Sequence, residues 1–168
     1  MTKKITVSAV LTAVALIIFV LEALIPPISS AVPGIKLGLA NIVTLFTLYA
    51  LGPWYALAAL LGRIILGGIF TGQMMTILYS LGGGLLSYAV CALVYRFFPE
   101  KQMWALSIIS AVLHNAGQIL VAMLITSTAQ IYMYFPVLAI SGIITGTFTG
   151  LSSQFLYLRL KKTDVLKF

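Results

Sequence analysis

The sequence predicts an all-α integral membrane protein, a single domain of six transmembrane helices over residues 1–168 with both termini cytoplasmic. Three observations carry this. The chain is 61% hydrophobic and only 8% charged, whereas a soluble domain is about 25% charged. Its apolar residues fall into six runs long enough to approach the ~20 residues of a bilayer span. Its charges gather at the ends of those runs, where they set orientation.

The first run, 5–25, follows Lys3 and Lys4 and closes at Pro26-Pro27, which cannot continue a helix. Its apolar core is longer than the roughly 7–15 residues of a signal peptide, and Glu22 interrupts it, so we expect a retained helix. After a loop holding Pro33-Gly34, the second span covers 36–52 and ends at the turn Gly52-Pro53. The third covers 54–70 and stops before Thr71-Gly72. The fourth, 74–97, is broken by Phe98-Pro99-Glu100-Lys101-Gln102. The fifth is 103–126, a short polar loop follows, and the sixth is 132–158 with a basic tail.

Lys3, Lys4, Arg96, Lys101, Arg159, Lys161, Lys162 and Lys167 then share one side and Lys36 alone the other. By the positive-inside rule the first side is cytoplasmic. Trp54, Trp104, Tyr132 and Tyr134 fit interfacial belts. Gly82-Gly83-Gly84 and the stripe Gly142, Gly146 and Gly150 predict close helix–helix approach.

The same inventory excludes several functions. The net charge of +7 sits at span ends, so the partners expected are the lipid bilayer and a small-molecule substrate, with no nucleic acid. One cysteine, Cys91, forbids an internal disulfide. Three acidic residues offer no carboxylate motif for Mg²⁺, and one histidine offers no multi-histidine metal site. No Walker A sequence is present. We therefore expect no metal, no cofactor and no enzymatic activity of the chain itself.

What remains is polar chemistry placed in hydrocarbon. His114 and Gln118 are four residues apart and Asn115 and Gln118 three, so on a helix they share one face. At about 1.5 Å per residue, His114 and Arg63 fall near the midplane. Asn41, Gln118 and Glu22 fall in the outer half, with Lys36 and Gln73 at the outer rim. The inner halves carry almost nothing charged, which predicts a funnel open to the outside and blind toward the cytoplasm. An intramembrane arginine costs at least ~2.5–3.5 kcal/mol to insert. Arg63 therefore either pairs with Glu22 or holds an anionic ligand group, and both readings stay open. His114 is equally open between a core hydrogen bond, to Asn41 or a carbonyl, and ligand contact. The candidate ligand-binding set is Lys36, Asn41, Arg63, Gln73, His114, Asn115 and Gln118, for a molecule with an anionic or strongly polar head and an apolar body.

Gly38-Leu39-Ala40-Asn41-Ile42-Val43, Arg63 with Gly67 and Gly68, and His114-Asn115-Ala116-Gly117-Gln118 together resemble a bacterial membrane family. It is known as heptaprenyl diphosphate synthase component I, or Gx transporter. The resemblance covers nearly the whole chain and implies the bacterial plasma membrane. The family is similar in size and layout to S components of energy-coupling factor (ECF) transporters, substrate-binding membrane proteins that partner a scaffold subunit and two ATPases. That likeness implies an S-component-like bundle, with Ala9 and Ala13 matching the pair of alanines at which the scaffold docks. The synthase label implies the alternative, a non-catalytic accessory subunit of polyprenyl or menaquinone synthesis or of quinone- and flavin-based extracellular electron transfer. A third reading is an enzyme using His114 as acid or base.

Overall fold

A computed structural model of the chain describes residues 2–24, 38–72 and 74–163. Among these it contains six α-helices and no strand: α1 (Thr2–Ala23), α2 (Asn41–Ala50), α3 (Pro53–Thr71), α4 (Met74–Val94), α5 (Met103–Thr126) and α6 (Phe135–Lys162). All but α2 are long and apolar enough to cross a membrane. In hydrocarbon only a helix satisfies every backbone amide and carbonyl of a single segment, which is why runs this apolar adopt no other structure.

Four of the helices, α1, α3, α4 and α5, match the expected limits to within a few residues. The sixth shifts. It starts at Phe135, with Pro136 in its first turn where a missing N–H costs nothing. It then runs on through the basic tail to Lys162, because Arg159, Lys161 and Lys162 suit the negative end of the helix dipole.

The second span is corrected. In place of 36–52, α2 has 10 residues, about 15 Å of helix against a hydrocarbon thickness of about 30 Å. It is preceded by a tight turn in which Asn41 N donates to Gly38 O at 2.9 Å and Ile42 N to Leu39 O at 3.1 Å. Gly38 has φ +79°, a backbone conformation that costs any residue with a Cβ about 1–2 kcal/mol.

Helix directions follow from the glycine contacts. Thr12 packs on Gly62 and Phe19 on Gly67, so α1 and α3 run parallel. Ile77 lies over Gly68 while Gly84 faces Leu60 and Ile64, so α4 runs back along α3. Gly82 meets Val121 and Gly83 meets His114, which makes α5 antiparallel to α4. Gly142, Gly146 and Gly150 step down Ala111, Ser107 and Trp104, which makes α6 antiparallel to α5. The start of α1 and the end of α6 therefore lie at one end of the bundle. Lys3, Lys4, Arg96, Lys101, Arg159, Lys161 and Lys162 all lie there too, and no basic residue described lies at the far end.

Two apolar clusters fill the interior. One, toward the charged end, is built on Leu45, Phe46, Leu48, Met103, Leu106 and Tyr157. The other, toward the far end, is built on Tyr79, Ile119, Ala122 and Leu138. The buried Glu22, Arg63, His114, Asn115 and Gln118 lie between them. Outward-facing Ile17, Leu66, Ile140 and Phe148 would be a liability in water and are the natural surface of a helix in lipid.

Candidate functional site

The layer between the two apolar clusters is assembled from α1 to α5 and the turn before α2. Arg63, midway along α3, is 2% exposed and donates from a terminal nitrogen to Asn41 Oδ1 at 2.6 Å. Asn41 can reach it because Gly38 starts α2 at this depth. A side chain at Gly38 would press on the Asn41 amide and the His114 ring, at 2.9 and 3.1 Å from its Cβ. Glu22 joins from α1. Its carboxylate accepts the Gly38 amide at 2.5 Å, and its negative charge acts on the Arg63 guanidinium. His114 and Gln118 of α5 come in over Gly83, where a Cβ would sit 2.5 Å from His114 O and 2.9 Å from Gln118 Cγ.

Few of these groups use their full hydrogen-bonding capacity. Asn41 Nδ2, Arg63 Nε and both polar atoms of the fully buried Gln118 have no partner among the described residues. His114 Nδ1 lies against the Gly83 backbone but outside good hydrogen-bond geometry. Buried amides are normally satisfied, and each exception calls for an explanation. Donors and acceptors held ready for a bound molecule would supply one.

The structure brings Asn41, Arg63, His114, Gln118 and Glu22 into one neighbourhood. It separates Asn115, whose Nδ2 donates to Leu138 O of α6 at 2.6 Å. The face shared by Asn115 and Gln118 is therefore split, with Asn115 tying α5 to α6 and Gln118 turned toward α4. Lys36 and Gln73 lie outside the described residues. Ala9 and Ala13 are exposed on α1.

The cavity that the structure describes is not the expected outward-opening funnel. A small cavity borders Asn41 on the charged-end side, between α2, α4 and α5, against Thr44, Ser87, Cys91 and Ser110. It has room for about one water molecule. Hydroxyls also populate the half of the bundle expected to be bare. Ser107 and Thr149 bond at 3.0 Å, and Thr47, Ser87 and Ser153 are buried. They escape a search for charged residues because a hydroxyl can bond to its own helix, as Thr47 does to Val43 O at 2.7 Å. Gly38 and Gly83 shape the site, yet the sequence marks them only as part of a family motif and as a close-approach stripe, because glycine carries no polar signal. The hint was Gly38 just ahead of Asn41, in a second apolar run shorter than the others.

Fold and site together define a class: a multi-pass membrane protein with a charged, amide-rich cluster enclosed midway along its helices. Within that class, the chain belongs to the heptaprenyl diphosphate synthase component I family, whose model matches residues 11–156. No curated protein and no solved structure matches it.

Proposed function

We propose that this protein is a membrane-embedded substrate-binding subunit, S-component-like in architecture, that takes up a small amphipathic molecule across the bacterial plasma membrane. The chain crosses the bilayer six times, with both termini in the cytoplasm beside the basic residues of the charged end. The polar head of the ligand enters the cluster around Arg63, and its apolar body lies among the helices. The scaffold subunit of an ECF-type transporter docks on α1 at Ala9 and Ala13, and separate ATPases supply the energy.

The observation that carries this reading is the set of unpartnered groups gathered at Asn41, Arg63, His114 and Gln118, with a guanidinium and a carboxylate buried beside them. A helix that begins in the middle of the bundle beside a guanidinium supports it. Transporters place substrate sites at such broken helices near the midplane. Mass spectrometry of small molecules co-purifying in mild detergent tests the reading. An amphipathic molecule retained by the wild type and lost from Arg63→Ala is expected, and equal retention by both would count against the site.

The family's name favours a second reading, a non-catalytic accessory subunit of a prenyl diphosphate synthase. Affinity purification separates the two. Recovery of a scaffold with ATPases supports uptake, and recovery of a prenyl synthase or a quinone-reducing dehydrogenase supports the accessory role.

A further inference from the structure

We propose that the head group taken by the Arg63 cluster is uncharged and of the cyclic amide or imide type, with carbonyl oxygens flanking an N–H. This rests on the reading of the cluster as a substrate site and names the class of molecule it takes.

Charge comes first. A continuous chain of contacts links the two ionisable ends of the site. The Glu22 carboxylate holds the Gly38 amide at 2.5 Å, Gly38 abuts the Asn41 amide, and Asn41 Oδ1 holds the Arg63 guanidinium at 2.6 Å. Among the described residues, no other Lys, Arg, Asp or Glu lies in this layer. Among the described residues, one guanidinium and one carboxylate balance in this layer. An anionic head would add a second negative charge beside Glu22, away from water, where an uncompensated charge is costly. An anionic head follows from a guanidinium standing alone, and Glu22 shares this site with it.

Hydrogen-bonding capacity comes second. The unpartnered donors are Arg63 Nε, Asn41 Nδ2 and Gln118 Nε2, Gln118 Oε1 is an unpartnered acceptor, and His114 Nδ1, donor or acceptor by tautomer, lies with them. A carboxylate or phosphate offers only acceptors and leaves Gln118 Oε1 unsatisfied. An imide offers two carbonyl acceptors around one donor, the complement of a side-chain amide beside two further donors. A site built this way rejects heads that leave its buried groups unpaired.

The test uses the full chain in lipid nanodiscs and three probes with the same tail: 1-decyluracil, decanoate and decyl diphosphate. Wild type is expected to bind 1-decyluracil at least roughly tenfold tighter than either anion. Glu22→Gln removes one negative charge and is expected to shift preference toward decanoate. Gln118→Met keeps the volume and is expected to weaken 1-decyluracil about tenfold while leaving decanoate unchanged. Tightest binding of an anion by wild type, equal binding of all three, no binding of any, or a preference unmoved in both variants would overturn the inference. A co-purifying anion lost from Arg63→Ala would sink the imide head while leaving the uptake reading intact.

Discussion

The two sides of this bundle are packed on different principles. Along the seam of α5 and α6, glycines bring backbones together. A Cβ at Gly146 would lie 2.8 Å from Ile108 Cα, and one at Gly150 would lie 2.6 Å from Trp104 Cα. Two polar contacts cross there, Ser107 with Thr149 and Asn115 with Leu138 O, while Ser141 Oγ, Ser153 Oγ and Gln154 Oε1 are isolated hydroxyl and amide atoms with no partner among the described residues. On the side of α1, α2 and α3, a short helix begins mid-bundle, and charged and amide groups meet with capacity to spare. Membrane helices associate through van der Waals fit and satisfied polar contacts. The first side spends its sequence on that fit, and the second leaves it incomplete where a ligand would complete it.

Substitutions can break or sharpen the contrast. The largest effect is expected at Arg63. Arg63→Met strands the Glu22 carboxylate in a buried site and should destabilise the protein by about 3–5 kcal/mol. Adding Glu22→Gln should recover most of that loss, measured by denaturant titration in mixed micelles. Failure of the second change to rescue would show that the two charges act independently.

Next comes the seam. Gly146→Val drives a branched side chain into the α5 backbone, and we expect a loss of about 3 kcal/mol with no rescue from any polar change. A Gly146→Val protein as stable as wild type would mean the seam is looser than its contacts state.

Gly38→Ala should cost about 1–2 kcal/mol from its positive φ, and it should also disturb ligand retention by crowding Asn41 and His114. Loss of stability without change in retention would detach the turn from the site. The smallest effect belongs to the surface. Lys161 bonds Glu100 at 2.5 Å, but the pair is largely solvent-accessible. Lys161→Ala should therefore cost under about 1 kcal/mol, and less at high salt.

How far these features could be seen in the sequence follows the same division. The helices of the seam announce themselves through run length, turn residues and the four-residue spacing of Gly142, Gly146 and Gly150. Those signals are local, and a membrane leaves a helix few alternatives. Arg63, His114 and Gln118 could be singled out because polar groups in hydrocarbon are expensive wherever they point. Direction is what a linear sequence lacks. Asn115 is adjacent to His114 and just as polar, yet one step of about 100° along the helix turns it to α6. The shortness of α2 was also hard to see, because a helix begun at mid-depth depends on one glycine's φ rather than on composition. The placement of Glu22 against Gly38 is a contact across 16 positions, with no periodicity to betray it.

The foot of α2 adds a mechanical consequence. There the Tyr49 hydroxyl reaches the carbonyls of Phe98 at 3.0 Å and Tyr95 at 3.5 Å, in the link between α4 and α5. A rod of three turns has no joint in which to absorb a push. A displacement of its head by whatever settles beside Asn41 arrives almost whole at that link, and so at the face of the protein where its basic residues are gathered. Occupancy of a buried spot would thus have a direct line to the charged end of the bundle.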